Sequence, residues 1–166
     1  DPVQRFEAAP FGKKVRAALA AAGFAAPTAI QAQGWPVAVQ GSDLIAVAKT
    51  GSGKTLGFML PAFRKVVKEG LDASEGPVVL VLAPTRELAC QIEEASAKYR
   101  ECIGVTTTVI YGGAPKPPQA KVAVTSQEGV YIGDGDDMQW HSDRLPQSSR
   151  CYVEAELCDS SGDLFQ

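Results

Sequence analysis

Between residues 43 and 70 a strand-like run, a glycine-rich loop and a helix-like run follow one another without a spacer: DLIAVA, AKTGSGKT, TLGFMLPAFRKVVKEG. No other feature constrains the fold as tightly. A strand that ends in a glycine turn and re-enters a helix is half of a βαβ unit, and such units build a parallel sheet covered by helices. The flanking segments agree. VVLVLAP (78–84) is continuously apolar, as a strand buried on both faces is. TRELACQIEEASAKYREC (85–102) sets Leu88, Ile92, Ala95 and Tyr99 on one helical stripe. VTTTVIYGG (105–113) is β-branched and predicts a strand. KKVRAALAAAGF (13–24) predicts a helix stopped at Gly23. TAIQAQGWPVAVQG (28–41) predicts one that starts at Thr28 and is bent or divided by Pro36.

The loop also carries chemistry. A phosphate loop reads G-x-x-x-x-G-K-[ST] between a strand and a helix. Here Ala48 stands at the first glycine position, and Gly53, Lys54 and Thr55 fit. Gly51 and Gly53 allow the backbone N–H groups of Thr50, Gly51, Ser52 and Gly53 to converge on phosphate oxygens at the positive end of the following helix. Lys54 has the reach for β- and γ-phosphates, and the Thr55 hydroxyl can ligate Mg²⁺. The loop predicts a nucleoside triphosphate and leaves the base open.

Other classes are excluded by composition. A net charge of −3 gives no global basic field, so any nucleic-acid contact is local. Four cysteines without a CxxC pair and a single histidine, His141, argue against a zinc site and suit a reducing compartment. No apolar run approaches the roughly 20 residues that span a bilayer. The first residue is Asp1 rather than Met, which predicts a fragment or a processed product.

The base is addressed upstream, where GFAAPTAIQ (23–31) ends in Gln31. An amide donates and accepts at once, and so pairs with the N6 and N7 edge of adenine, where guanine presents an acceptor instead of the N6 donor. Read alone, Gln31 is more readily an exposed polar residue on a helix than a base-reading one. Phe6, GFAAPTAIQ, AKTGSGKT, PTRELA (84–89) and YGG (111–113) occur in order. Together they resemble the Q motif, motif I, motif Ia and the GG motif of DEAD-box RNA helicases, over residues 6 to about 119. IQAQGWP (30–36) and YGGAPK (111–116) are most similar to a nuclear subgroup related to the human p sixty-eight protein.

That resemblance implies ATP and Mg²⁺ as cofactors and RNA as partner. Phe6, seventeen positions before Gly23, would stack on adenine, Gln31 would read its edge, and Thr28 would support that loop. Pro84, Thr85, Arg86, Gly112 and Gly113 would lie along the RNA backbone. This makes physical sense: N–H groups and a guanidinium at a strand end hold phosphates without reading bases, and glycines permit close approach. The implied architecture is α/β, a RecA-like P-loop NTPase sheet flanked by helices and incomplete. Residues 1–119 would form a partial ATP-binding domain. A nuclear location follows from the subgroup alone.

Past residue 119 the sequence changes style. KVAVTS, GVYIG and CYVEAEL are short strand candidates separated by polar turns, so residues 120–166 predict a β-rich or irregular tail of unknown fold. A misjoined reading frame, a spliced C-terminus and a small fused β module all account for it. Asp134, Asp136 and Asp137 in GVYIGDGDD mimic a metal-binding strand end, but after so short an apolar run a solvated turn is the expectation. The tetrapeptide D-E-A-D, which in the family supplies the Mg²⁺ carboxylate and positions water, is absent from the chain, as are the motif Ib and S-A-T segments. Binding of ATP and RNA without hydrolysis or unwinding is therefore expected. A non-catalytic regulatory protein with a C-terminal interaction module is the alternative. A truncated sheet is further expected to expose apolar surface along VVLVLAP.

Overall fold

A computed structural model describes residues 1–69, 78–112, 130–134 and 151–154. A 3₁₀ turn, Phe6–Ala8, leads into α1 (Lys13–Ala21) and α2 (Ala29–Ala38); α3 (Lys54–Glu69), β1 (Val79–Ala83), α4 (Arg86–Ile103) and β2 (Thr107–Ile110) follow. Two later strands, β3 (Val130–Asp134) and β4 (Cys151–Glu154), complete the described elements. No helix among the described residues is long and apolar enough to cross a membrane.

The four strands make one sheet in the order β2-β3-β1-β4. Every pairing is parallel: Val79 lies opposite Val130 on one side and Cys151 on the other, and Thr107 lies opposite Val130. The strand candidates GVYIG and CYVEAEL thus enter the same sheet as β1 and flank it. This reverses one expectation. β1 is interior to the sheet, paired on both sides by segments after residue 119, and Val79 and Val81, both 0% exposed, are buried against the helices. KVAVTS, Asp136, Asp137 and His141 lie outside the described residues.

Side-chain alternation divides the core. Val79, Val81, Ala83, Val130 and Ile132 join Met59, Phe63, Ile92 and Tyr99 from the helices in the main cluster. Leu80, Ile110 and Tyr131 form a smaller cluster with Leu82 on the opposite face. On α4 the buried stripe is Ala89, Ile92, Ser96 and Tyr99. Ser96 takes the place expected of Ala95, and its hydroxyl is satisfied inside the helix by donating to Glu93 O at 2.9 Å.

DLIAVA departs from expectation. Asp43–Ala48 is not a strand and joins no ladder among the described residues. Its apolar side chains face outward: Leu44 is 45% exposed, Ile45 94% and Val47 61%. Strand propensity is realised only beside a partner strand, and the described sheet ends at β4.

Of the two expectations for Pro36, division of the helix does not occur, since α2 runs from Ala29 to Ala38, and no loose carbonyl is left. A proline removes the N–H that would bond the carbonyl four residues earlier. Here that carbonyl, Ala32 O, accepts the N–H of Val3 at 2.8 Å. The defect in the helix becomes an anchor for the N-terminal segment.

A polar cluster ties α4 to β2. Arg100 Nη1 donates to Glu93 Oε1 and to Thr107 Oγ1, and Thr107 Oγ1 donates to Glu93 Oε1 at 3.1 Å. The two charged side chains are 26% and 23% exposed. Arg100→Ala leaves the Glu93 carboxylate with one neutral donor, and is expected to lower unfolding stability by about 1–3 kcal/mol. Urea denaturation checks this through its midpoint.

Candidate functional site

The phosphate loop runs into the first turn of α3, so backbone N–H groups at the amino end of a 16-residue helix face the loop. Gly51 (φ 78°) and Gly53 (φ 83°) adopt the left-handed conformation that lets the chain curl there. Lys54 Nζ folds back over the curl and donates to Ala48 O at 2.5 Å. The Ser52 hydroxyl oxygen is buried and has no hydrogen-bond partner among the described residues. A buried hydroxyl, a lysine held on a loop carbonyl and a helix amino end form a donor set that fits nucleotide phosphates. Thr55, half-buried one position on, offers the hydroxyl suited to Mg²⁺. Among the described residues no group of three or more His, Cys, Asp or Glu side chains could hold a metal without the nucleotide.

Against this loop stands the start of α2. Thr28 is its N-cap, and the Thr28 N–H donates to Gln31 Oε1 at 3.1 Å. At its other end the Gln31 amide donates from Nε2 to Gly53 O, also at 3.1 Å. Gln31 is only 6% exposed. Its amide spans from the cap of α2 to the glycine of the loop, so the two segments share one side chain. Each end of the amide keeps one unused capacity, the second N–H of Nε2 and the second lone pair of Oε1.

Phe6 is placed differently from expectation. The ring expected to stack on adenine is 5% exposed and packs on Trp35, with ring centroids 6.3 Å apart. Trp35 is wholly buried, meets Phe11 edge-on at 5.0 Å, and donates from Nε1 to Leu56 O at 3.1 Å. Phe6 thus backs α2 rather than offering an open ring face, because the Val3–Ala32 bond draws its segment inward. Sequence reasoning also missed Trp35, which joins α2 to the first turn of α3. Its signal was present in IQAQGWP: a large aromatic four residues after Gln31 falls on the same helix face.

The second constellation lies at the carboxyl end of the sheet. Thr85 is the N-cap of α4, and its hydroxyl accepts the Leu88 N–H at 3.2 Å. Arg86 follows and is exposed, and its guanidinium carbon lies 4.2 Å from the centroid of the Tyr111 ring. Pro84, Thr85, Arg86 and Gly112 therefore stand at the same end of the parallel sheet. Gly113 lies outside the described residues. The partner of the Arg86 guanidinium is thus an aromatic ring 25 positions away.

Comparison with known proteins follows the same lines. The sequence profile described as DEAD/DEAH box helicase matches residues 28–144. DEAD-box ATP-dependent RNA helicase 14 of Arabidopsis thaliana is 49% identical over 120 residues, which is 72% of this chain and 19% of that protein. A crystal structure of the RNA helicase Prp28 from Chaetomium thermophilum bound to ADP superimposes with a TM-score of 0.78 at 34% identity, covering 92% of this chain and 38% of that one. Mss116p bound to single-stranded RNA and AMP-PNP is 22% identical with a TM-score of 0.76, covering 87% and 31%, a likeness of fold. The chain spans about a fifth of the length of the curated relatives it matches.

Proposed function

The chain belongs to the DEAD/DEAH box helicase family, and on that premise we propose that it is the part of an ATP-dependent RNA helicase that holds ATP and the RNA backbone. The observation that carries this reading is the Gln31 amide bridging the cap of α2 to Gly53 O, which joins the base-reading residue to the phosphate loop. Lys54, which donates to Ala48 O in the structure, would hold the β- and γ-phosphate oxygens. Ser52 and the N–H groups from Thr50 to Lys54 would complete the cradle, and Thr55 would hold the Mg²⁺ ion. Gln31 turns its remaining N–H and lone pair toward adenine, while Phe6 and Trp35 hold α2 in place behind it. When bound, ATP supplies the free energy of phosphoanhydride cleavage to the complete enzyme.

Thr85, Arg86 and Gly112 meet phosphates of a single RNA strand at the carboxyl end of the sheet. Contacts of this kind position a strand without reading its sequence. Hydrolysis is another matter. With no D-E-A-D tetrapeptide in its 166 residues, the chain lacks the family's paired carboxylates for Mg²⁺ and water. Its own activity is binding.

Fluorescence anisotropy with labelled single-stranded RNA, run beside a phosphate-release assay with ATP and Mg²⁺, tests this reading. Saturable, salt-sensitive binding that differs little between RNA sequences is expected, with phosphate release at background. RNA-stimulated release contradicts the assignment of binding alone, and absence of RNA binding contradicts the role given to the sheet end.

A further inference from the structure

We propose that Tyr111 is a positioning residue that holds the Arg86 guanidinium in place for an RNA phosphate, an inference that rests on the RNA-binding reading of the sheet end. The argument begins with a cost. Arg86 is the first residue of α4, where the helix presents its positive end and a cation is disfavoured. Glu87 suits that place; Arg86 does not. Nor does Arg86 compensate through ordinary pairing, since among the described residues its guanidinium makes no ion pair or hydrogen bond. The ring contact at 4.2 Å is its one described interaction.

Geometry then decides what that contact achieves. β1 and β2 are separated by β3, so their ends stand roughly 10 Å apart at the usual strand spacing. Arg86, three residues past the end of β1, reaches Tyr111, directly after the end of β2. Its side chain is thereby stretched along the carboxyl end of the sheet instead of sampling solvent. A guanidinium with one face on an aromatic ring still has its N–H edge open to an anion, and a long side chain already fixed loses less rotamer entropy on binding. A helix-stabilising role does not explain this placement, whereas presentation of a cation to a phosphate does. Tyr111 makes other interactions of its own, and the proposal concerns only its ring.

The test uses labelled oligouridylate and the whole chain, with Arg86→Ala, Tyr111→Leu, Tyr111→Phe and the double variant Arg86→Ala/Tyr111→Leu. Tyr111→Phe keeps the ring and is expected to bind as the unmodified chain does. Tyr111→Leu keeps apolar bulk and is expected to bind about 5- to 10-fold more weakly, the scale of one partly exposed cation–aromatic contact. Its log–log salt slope should fall toward that of Arg86→Ala, by about 0.7, one phosphate contact on a single strand. The double variant should bind no more weakly than Arg86→Ala, because both changes remove the same contact. Undiminished binding by Tyr111→Leu, or losses that simply add in the double variant, would overturn the inference while leaving the RNA reading intact. Failure of the unmodified chain to bind oligouridylate would overturn that reading, and the inference with it.

Discussion

Gly53→Ala is expected to weaken ADP binding by about 100-fold, the equivalent of roughly 2.7 kcal/mol, while leaving the far-ultraviolet circular dichroism spectrum nearly unchanged. Two effects combine. The backbone at Gly53 has φ 83°, a conformation that costs an L-residue about 1–2 kcal/mol. A Cβ there would also lie 2.5 Å from Gln31 Nε2 and 3.2 Å from Thr28 Oγ1. The Gln31 amide must withdraw, releasing Gly53 O and breaking the link between α2 and the loop. Gly57, one turn further along α3, is the control. A Cβ at Gly57 meets nothing within 4 Å, so Gly57→Ala is expected to add about 0.5–1 kcal/mol of stability through helix propensity. Calorimetric titration and thermal unfolding of both variants measure the contrast. Equal ADP affinity in Gly53→Ala and the unmodified chain would mean that the loop does not hold the nucleotide in the observed curl.

Trp35→Ala is expected to cost about 3–5 kcal/mol of unfolding stability, the range for removing a fully buried large aromatic. The indole is 0% exposed, touches both Phe6 and Phe11, and is bonded to Leu56 O. A small domain has a margin of about 5–15 kcal/mol, so this one change consumes a large part of it. Trp35→Phe keeps one aromatic ring in the core but loses the N–H and part of the indole's volume, so an intermediate cost of about 2–3 kcal/mol is expected. Urea midpoints order the three proteins. Because Trp35 also fixes the angle between α2 and α3, ADP affinity should drop in Trp35→Ala even at temperatures where the chain stays folded. A loss under about 1 kcal/mol would contradict the placement of Trp35 at the centre of the core.

Much of this architecture is legible in the amino-acid sequence. Glycine and proline punctuation locates α1 and α2, the apolar run 78–84 becomes β1, and the motif order names the residues of both candidate regions. What escapes sequence reading involves partners distant along the chain. DLIAVA has strand composition, yet a strand exists only when paired, and composition does not name the partner. GVYIG and CYVEAEL are too short for their pattern to show that they pair in parallel on either side of β1. Phe6 carries no periodicity, so nothing local distinguishes a ring facing a ligand from one packed on Trp35. The Arg86–Tyr111 contact crosses the end of the sheet, and depends on β3 lying between β1 and β2. The interior place of β1 follows from the pairings of GVYIG and CYVEAEL, and its apolar side chains, contrary to the expected exposure, are buried in the clusters on its two faces.

The central claim is that the Gln31–Gly53 arrangement builds a site for an adenine nucleotide, and a calorimetric titration of the chain with ADP, using GDP as the control, tests it most directly. The account predicts saturable binding of ADP, much weaker binding of GDP, and loss of that preference in Gln31→Ala. Equal affinity for the two nucleotides, or an unchanged preference in Gln31→Ala, would contradict it.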